Sequence, residues 1–401
     1  MKIRHDVLVI GGGLIGTAAA FFLAKEGVDV GLIERKGLAS GTSGATMSNL
    51  SLHNRMPGPE WDLAMETWQI YKDLKENLGM DCEFEILSSL MLIEKEEDLA
   101  WARKRVADQR RAGLDIELIT NEDVVKMDPY IGAKIAGAAF CKPTAWVNSM
   151  LLCKAFAMAA RQLGAGIYTH TQVTDICVSN GKITGIKTPL VMFECENIIN
   201  AAGPAADEIG KMVGCRIPIR KNRGTVVVTE PLPQIGIRNK AEGIDHAKFE
   251  RDKSERLGEN RNRRNHRDLE YTYDVHFTCI QTRRGHFLIG RSGEDHENQR
   301  NIQPDAITAI LQRAVRFVPF FAKVKVQRVY AGIRPYSPDF LPMLGPVRHP
   351  QGFFLAYGFG DKGIGLGAAG VKHVVRSVLE KDYRIPRALH SDRFVSESEG
   401  K

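Results

Sequence analysis

The feature that most constrains this chain is a glycine-rich turn between a strand and a helix near its N-terminus. Residues 6–10 (D-V-L-V-I) are predicted to form a short buried strand, and G-G-G-L-I-G follows at 11–16. The next residues favour a helix that ends at Gly27, and a second strand over 28–33 leads to Glu34. This order of strand, turn, helix, strand and acid is typical of a dinucleotide-binding unit.

The parts of this unit have separate physical tasks. Gly11 permits the tight turn, Gly13 lets the backbone approach a pyrophosphate, and Gly16 lets the helix pack closely on the strand. The helix N-terminus offers free N–H groups and the positive end of its dipole to the phosphates. Glu34 is placed to accept hydrogen bonds from ribose hydroxyls, and its charge disfavours a 2′-phosphate.

The motif alone does not separate NAD from FAD, but the segment after it favours FAD. Residues 35–50 (R-K-G-L-A-S-G-T-S-G-A-T-M-S-N-L) are rich in Gly, Ser and Thr. Such a loop can run back along an extended cofactor and donate backbone and hydroxyl hydrogen bonds. The sequence carries one complete fingerprint, whereas flavoenzymes that NAD(P)H reduces often carry two. We therefore expect FAD that takes its electrons from the substrate.

Composition bounds the remaining classes. The chain has 401 residues, which suits two closely joined domains, and its net charge of +7 favours an anionic substrate or an acidic partner rather than nucleic acid. The 7 cysteines form no C-x-x-C pair, so no metal site is predicted and a reducing cytoplasm is favoured. No run reaches the roughly 20 apolar residues of a transmembrane helix. We predict a cytoplasmic protein and leave peripheral membrane association open.

Several segments outside the nucleotide unit have clear secondary-structure signals. Residues 57–79 and 148–163 are predicted as helices, and residues 84–93 as paired strands. N-A-A-G-P at 200–204 places a glycine between a buried strand and a helix N-terminus, and R-R-G-H at 283–286 favours a hairpin turn.

One segment, residues 246–270, is dense in both charges and poor in core residues. We interpret it as an exposed or disordered insertion. A docking arm or an RNA contact is the functional alternative, but the segment is poor in the aromatic residues that stack on bases.

An arginine near the C-terminus is a candidate for binding the substrate. Residues 329–347 read V-Y-A-G-I-R-P-Y-S-P-D-F-L-P-M-L-G-P-V, so Arg334 follows an apolar strand and is fixed beside a proline. Its planar guanidinium can hold a carboxylate through two parallel hydrogen bonds. A structural ion pair is the alternative role for Arg334.

A second glycine-rich turn follows. In G-F-F-L-A-Y-G-F-G-D-K-G-I-G-L-G-A-A-G, residues 352–370, a strand ends in a turn that opens the last long helix. That helix N-terminus, with Lys362 beside it, suits the negative charge of a reduced flavin. Lys362 has an alternative reading as a solvated surface cation.

Together these motifs resemble the D-amino-acid oxidase superfamily of FAD enzymes over nearly the whole chain. Within it the sequence is most similar to the glycine oxidase and sarcosine oxidase branch, and to β subunits of heteromeric proline, hydroxyproline, opine and sarcosine dehydrogenases. I-Q-T-R-R-G-H-F-L-I-G-R at 280–291 is the most specific match to those β subunits. The other matches are V-L-V-I-G-G-G-L-I-G, I-E-R at 33–35, G-T-S-G-A-T-M-S-N-L, N-A-A-G-P, G-I-R-P-Y-S-P-D-F-L-P-M-L-G and G-F-G-D-K-G-I-G-L-G.

The resemblance implies an α/β (α+β) fold with two domains. A Rossmann-like FAD-binding domain of discontinuous segments would take residues 1–83, 145–220 and 326–401. A substrate domain with an antiparallel β-sheet would take residues 84–144 and 221–325. Some sarcosine oxidases link flavin to a cysteine in the segment that reads G-I-R-P here, and this chain has none there, so non-covalent FAD is expected.

The resemblance also assigns roles by position. Arg334 would hold the substrate carboxylate, and Arg334 and Lys362 are the predicted catalytic residues. His276 is predicted on the substrate side because it falls near the substrate sheet, and His276 and Tyr273 are the candidates for a general base. Val173 would contact the adenosine half through its backbone. The predicted cofactor-binding residues are Gly11, Gly13, Leu14, Ile15, Gly16, Glu34, Arg35, Thr42, Ser43, Thr46, Met47, Ser48, Val173, Ala202, Gly203, Gly332, Gly360, Lys362, Gly363 and Ile364.

The resemblance implies oxidation of the C–N bond of a small amino acid or secondary amine. A hydride would pass to flavin N5 and leave an imine, and electrons would leave through oxygen, a partner subunit or a quinone. Two alternatives stay open: a 2-hydroxy-acid or glycerol-3-phosphate dehydrogenase, and a non-catalytic FAD electron-relay subunit.

Overall fold

The computed structural model describes residues 2–132, 135–234, 239–244, 247, 267–296, 298 and 301–394. Most of the charged segment predicted over 246–270 lies outside the described residues, so the structure does not test that prediction.

One sheet is built on the nucleotide unit. Its described strands are β2 (Val7–Ile10), β3 (Val30–Ile33), β8 (Gly166–Tyr168), β12 (Asn197–Asn200), β19 (Met343–Pro346) and β20 (Phe353–Tyr357). Their order is β19-β20-β12-β2-β3-β8, and neighbours are parallel except β19, which is antiparallel to β20. Because β2 and β3 are buried on both faces, their sequences are continuous apolar runs.

A second, smaller sheet has four strands in the order β1-β11-β10-β9. Its strands are β1 (Lys2–Arg4), β9 (Asp175–Ser179), β10 (Lys182–Lys187) and β11 (Met192–Glu194).

The largest sheet is antiparallel except where β14 runs parallel to β5. It follows the order β17-β13-β16-β15-β14-β5-β7-β4, with β18 on β13 and β6 on β7. Its described strands are β4 (Asn49–Leu50), β5 (Glu85–Ile93), β6 (Asp115–Ile119), β7 (Gly137–Trp146), β13 (Arg220–Pro231), β14 (Asn239–Gly243), β15 (Thr278–Gln281), β16 (His286–Gly290), β17 (Glu294–Asp295) and β18 (Val326–Tyr336).

The helices cover the outer faces of these sheets. Those in the described part are α1 (Leu14–Lys25), α2 (Pro59–Lys72), α3 (Leu74–Leu78), α4 (Leu99–Arg111), α5 (Asn121–Met127), α6 (Ser149–Gln162), α7 (Ala206–Lys211), α8 (Leu269–Thr272), α9 (Pro304–Phe317) and α10 (Gly363–Leu379). Helix α1 packs against both α6 and α10, and its alanine-rich sequence is buried on nearly every side.

Two of the four apolar clusters in the described residues pack helices against the sheets. One surrounds α1, α6 and α10, and includes Phe21, Phe156 and Leu366. The other lies between the large sheet and α9, where Phe277 and Phe317 stack with their ring centroids 4.5 Å apart. The mixed α/β architecture predicted from the sequence is confirmed, and the domain boundaries stay a prediction.

Local predictions fared unevenly. The hairpin at 283–286 is confirmed, since β15 and β16 pair antiparallel around it and Thr282 N donates to His286 O at 2.8 Å. The helix over 148–163 is confirmed as α6, whereas the helix over 57–79 is divided into α2 and α3. The paired strands over 84–93 were wrong, because β5 is one continuous strand between β7 and β14.

A buried carboxyl in the second core should weaken the fold at neutral pH. Asp128 is fully buried after α5, and burial raises its pKa from 3.8 to about 6. A carboxyl whose pKa is higher in the folded state stabilises the fold only when protonated, so that stabilisation is lost as the pH rises through 6. Asp128→Asn should therefore raise the free energy of unfolding at pH 7.5 by at most about 3 kcal/mol.

Thermal unfolding of the variant at several pH values checks this. The gain in Tm should shrink as the pH is lowered from 7.5 towards 4. Asp382→Asn, which changes an exposed carboxylate, is the matched control and should leave Tm unchanged at each pH. An Asp128→Asn protein that is no more stable than wild type at pH 7.5 would contradict the prediction.

Candidate functional site

A cavity of about 470 Å³ lies where the C-terminal ends of the parallel strands face the large sheet. The turns that follow β2, β3, β12 and β20 form one wall, and residues of β13, β14, β15 and β18 form the other. The carboxyl ends of parallel strands are the usual ligand-binding edge of an open α/β sheet. The cavity is therefore the candidate site.

The glycine turn predicted to bind the pyrophosphate forms part of this wall. Gly11 has a φ of +118°, and a Cβ there would lie 2.4 Å from Ala201 O, so only glycine fits. Helix α1 begins after Gly13 without a side-chain cap, and Leu14 N donates to Ser43 Oγ at 2.9 Å. This uncapped helix N-terminus on the cavity wall is suited to an anionic group.

Glu34 lies on the cavity wall directly after β3. Its Oε2 accepts from Gly12 N at 2.6 Å, and its Oε1 accepts from Lys36 N at 2.7 Å. Arg35 lies nearby with its Nη1 3.8 Å from Glu208 Oε2. Two backbone donors thus fix the carboxylate in the place where the sequence predicts a ribose contact.

The loop after β3 is tied to strand β18 across the cavity. Thr42 Oγ1 donates to Ile333 O at 2.5 Å, and Tyr330 OH donates to Thr46 O at 3.1 Å. Because Arg334 follows Ile333, these bonds fix the position of the loop relative to Arg334, the predicted substrate-binding residue.

A second helix N-terminus opens on the same cavity. Helix α10 begins at Gly363 without a side-chain cap, and Lys362 precedes it. The Lys362 side chain is 14% exposed, and its Nζ lies 2.7 and 2.6 Å from the two carboxylate oxygens of Glu60. The alternative interpretation of Lys362 as a solvated surface cation is therefore wrong. Two uncapped helix N-termini on one cavity fit a long cofactor with negative charge on its pyrophosphate and on its reduced flavin.

Arg334 lies on the opposite wall, 8% exposed. Its Nη1 donates to Asn222 Oδ1 at 2.8 Å and to Ser292 O at 3.1 Å. A Cβ on Gly224 would lie 1.7 Å from Nη2, so the guanidinium rests against the backbone there. Burial, and next the nearby Arg291, lower the pKa of Arg334. A guanidinium nevertheless stays charged at neutral pH.

No carboxylate in the described part of the chain lies within 4.0 Å of Arg334, so the structural ion pair finds no support there. Burial of a charge without a counter-charge costs free energy, and a bound anion would remove that cost. A buried cation without an adjacent carboxylate is therefore suited to bind an anionic group of a ligand. Asp361 and Asp274 interact with Arg334 electrostatically, but burial and the charge of Arg291 dominate and lower its pKa.

Sequence analysis missed several polar residues of the cavity. Arg291 lines the cavity, and its Nη1 lies 3.0 Å from Asp361 Oδ2. It is the last residue of the motif at 280–291, which was used for the family resemblance but not for the site. Lys240, Glu242 and Thr278 line it from β14 and β15. The alternation of Lys240 and Glu242 in N-K-A-E-G was the available signal, since residues i and i+2 share a face of a strand.

Most of the predicted site residues do line the cavity. They are Gly11, Gly13, Leu14, Ile15, Glu34, Arg35, Thr42, Ser43, Thr46, Met47, Ala202, Gly203, Gly332, Arg334, Gly360, Lys362, Gly363 and Ile364. The contacts of these residues with a cofactor or a substrate stay predictions.

Four predicted residues lie outside the cavity lining. Gly16 packs on the turn, where a Cβ would lie 1.8 Å from Gly11 O, and Ser48 bonds Ser149 Oγ at 3.0 Å. Val173 belongs to the apolar core around β2. His276 is buried with its Nε2 3.3 Å from Asp274 Oδ2, and its predicted role towards the substrate stays a prediction. Tyr273, the other candidate base, is also absent from the lining.

The described residues contain neither a membrane-spanning helix nor a cluster of metal ligands. No helix in them combines the length and the hydropathy needed to cross a bilayer. No group of three or more His, Cys, Asp or Glu side chains in them is arranged to hold a metal ion.

Comparison with known proteins agrees with this geometry. The family model described as "DAO: FAD dependent oxidoreductase" matches residues 6–376. The hydrogen cyanide synthase subunit HcnC of Pseudomonas aeruginosa is 27% identical over 91% of this chain and 90% of its own length. The glycine oxidase of Bacillus subtilis is 26% identical over 88% of this chain and 86% of its own. The glycine oxidase structure from Bacillus cereus superposes with a TM-score of 0.82 at 25% identity, covering 96% of this chain and 97% of its own. The chain belongs to the DAO family of FAD-dependent oxidoreductases.

Proposed function

We propose that this enzyme oxidises the C–N bond of a small amino acid or secondary amine, with FAD held non-covalently. The observation that carries the proposal is Arg334, a buried guanidinium on the cavity wall whose described partners are an amide oxygen and a carbonyl. Two relatives named glycine oxidase, whose named substrate is an amino acid with a free carboxylate, support the same substrate class.

The chain's own residues divide between the cofactor and the substrate. The N-terminus of α1 would hold the pyrophosphate, Glu34 the adenosine ribose, and the N-terminus of α10 with Lys362 the flavin. When bound, FAD supplies a hydride acceptor at N5. Arg334 would hold the substrate carboxylate and so fix the position of the α-carbon, because an oriented reactant needs less entropy loss at the reaction step.

The 2-hydroxy-acid or glycerol-3-phosphate alternative has one observation in its favour, which is the further cations of the cavity. However, Arg291 lies 3.0 Å from Asp361, and Lys221 lies 3.7 Å from Asp207. Since these carboxylates offset the added positive charge, the site suits a singly charged carboxylate, that of an amino acid or of a 2-hydroxy acid, better than the phosphate dianion of glycerol 3-phosphate. An electron-relay subunit would have no need for an unpaired arginine beside its cofactor.

Anaerobic reduction of the bound flavin tests the proposal. Purified protein would be mixed without oxygen with glycine, sarcosine, D-proline, L-proline, hydroxyproline or an opine, and with lactate and glycerol 3-phosphate as hydroxy substrates. Bleaching by an amine with release of ammonia or a primary amine supports the proposal. Bleaching only by a hydroxy compound supports the second candidate, and flavin that no compound bleaches supports the relay subunit.

Readmission of air would identify the electron acceptor. Rapid recolouring indicates an oxidase, whereas slow recolouring that a quinone accelerates indicates a dehydrogenase. The relative HcnC is named as a subunit of a synthase, so we extend to this chain the proposal that a partner subunit receives the electrons in the second case. Peripheral attachment to a membrane is part of the same proposal.

A further inference from the structure

Behind the sheet wall of the cavity lies a buried cluster of ionisable side chains that the roles above do not use. Lys240 and Glu242 project from the same face of β14, and the side chain of each is 1% exposed. Lys240 Nζ donates to Glu242 Oε2 at 2.6 Å and to Ser51 Oγ at 2.6 Å. His53 Nε2 is in contact with Glu242 Oε1, and His53 Nδ1 lies 2.7 Å from Ser89 Oγ.

The cluster holds the Glu242 carboxylate in one orientation. His53 bonds Oε1, while Lys240 and Asn54 Nδ2 both donate to Oε2, the latter at 3.2 Å. The His53 backbone is fixed in turn by α4, because Gln109 Nε2 donates to His53 O at 2.7 Å. Burial of three ionisable groups costs free energy that an apolar cluster of the same volume would not. Packing alone therefore does not explain why these residues are there.

The cluster reaches the cavity on one side. Ser51, Asn54, Lys240 and Glu242 all line it. Thr278 stands directly opposite Glu242 in the register of β14 and β15, so their side chains share the cavity face. Thr278 is only 6% exposed, and its Oγ1 has no hydrogen-bond partner among the described residues. A buried hydroxyl without a partner beside a carboxylate is suited to a ligand that donates hydrogen bonds.

We propose that Glu242 and Thr278 form the ammonium-binding end of the substrate site, and that Glu242 accepts the proton that the substrate nitrogen must lose before oxidation. An N–H bond of the ammonium breaks, its electron pair stays on nitrogen, and the proton bonds to a Glu242 carboxylate oxygen. The products are a neutral amine and a carboxylic acid. The inference rests on the proposed amine oxidation. Glu242 is the catalytic residue here, and Lys240 and His53 are positioning residues.

The charge arrangement supports this division of labour. Arg334 is a cation on one part of the cavity wall, whereas Glu242 is a carboxylate on the β14 part, where Lys240 Nζ holds it at 2.6 Å. A zwitterionic amino acid therefore meets a cation for its carboxylate and an anion for its ammonium group. The titratable groups that interact electrostatically with Lys240 or Glu242 are His53, Arg55, Cys141, Cys279 and Arg291. Burial lowers the pKa of both Lys240 and His53, so both side chains bind a proton less readily. Neither therefore competes strongly with Glu242 for the proton of the substrate.

The test is anaerobic flavin reduction of the FAD-loaded enzyme by whichever amine of the panel bleaches wild type, followed from pH 6 to 10. Glu242→Gln keeps the shape of the side chain but cannot take up a proton. Its reduction rate at pH 7 should fall by about 100-fold or more. The deficit should narrow as the pH approaches the pKa of the free amine, because the substrate then arrives without the extra proton. Glu230→Gln, on β13 outside the cavity lining, is the matched control and should behave as wild type.

A second variant and a second probe separate this role from a structural one. Thr278→Val should weaken amine binding by about tenfold, since a hydrogen bond to a charged group is lost. Acetate, which has a carboxylate but no nitrogen, should perturb the flavin spectrum of Glu242→Gln with unchanged or tighter Kd. If Glu242→Gln does not retain FAD, Thr278→Val with wild-type amine affinity alone overturns the proposal.

The outcomes distinguish the inference from the function on which it rests. If no amine bleaches wild type, the proposed function fails and the inference falls with it. If amines bleach wild type and Glu242→Gln at equal rates with the same pH profile, the function stands and Glu242 is not the proton acceptor. A loss of rate in Glu242→Gln that is equal at every pH is also contrary to the inference, because it indicates a structural effect.

Discussion

Replacement of Arg334 by methionine is expected to lower kcat/KM for an amino-acid substrate by about 100- to 1,000-fold, mostly through a higher KM. The guanidinium is buried, its Nη1 is held by Asn222 and Ser292, and no described carboxylate pairs with it. A substrate carboxylate would then enter a cavity with its main counter-charge removed and its desolvation uncompensated. Steady-state kinetics with the amine that reduces the flavin measure the effect.

Two further variants give the prediction its controls. Arg334→Lys keeps the charge but loses the planar fork, so its loss should fall between those of wild type and Arg334→Met. Arg328→Met changes an exposed arginine of the same strand β18 and should leave the kinetics unchanged. Wild-type KM in Arg334→Met would show that the substrate carboxylate binds elsewhere.

The nucleotide half of this site was predictable because its signals are local in sequence. The turn at 11–16, the apolar helix after it and the acid that ends β3 all fall within 34 residues, and each has its own steric or electrostatic requirement. The same holds for the strand and turn that open α10. Short-range geometry decides such elements, so their residues can be recognised before the fold is known.

The substrate half depends on contacts that are distant in sequence. Arg334 was recognised, but its partner Asn222 lies 112 residues away, and His53 and Glu242 are 189 residues apart. No local sequence pattern predicts either pair, because β13 and β18 pair only in the folded sheet and His53 meets Glu242 only in the folded chain. His276 was predicted from its place near the substrate sheet; it lies just before β15 and is absent from the cavity lining, and its role stays a prediction.

The wrong prediction over 84–93 has the same origin. Two serines, Ser88 and Ser89, stand inside the apolar run. In the structure Ser89 is fully buried inside β5, and its hydroxyl contacts His53 Nδ1. This polar residue inside a buried strand is thus a member of the buried cluster, and only the position of His53 in the fold explains it.

The other large effect is expected at Gly16, where replacement by alanine should abolish FAD retention. In an exposed helix, alanine in place of glycine would stabilise by about 1 kcal/mol. Here a Cβ would lie 1.8 Å from Gly11 O, which is backbone and cannot rotate away. Helix α1 must then retreat from the turn, at a cost of about 1–3 kcal/mol or more. The ratio of flavin to protein absorbance after purification measures the loss.

The sign of this effect is what tests the packing argument. Propensity alone predicts a stabilised helix and unchanged FAD content, whereas the close approach of Gly16 to Gly11 predicts a protein that is purified without flavin and binds added FAD at least tenfold more weakly. Gly37→Ala is the matched control, because a Cβ there meets nothing within 4 Å and its φ is not positive. Full FAD content in both variants would mean that the turn tolerates a displaced helix, and that the loop carrying Ser43 and Thr46 does more of the binding than α1. Loss of FAD in Gly16→Ala alone would locate the pyrophosphate at the helix N-terminus, where the charge of the cofactor meets the positive end of the helix dipole.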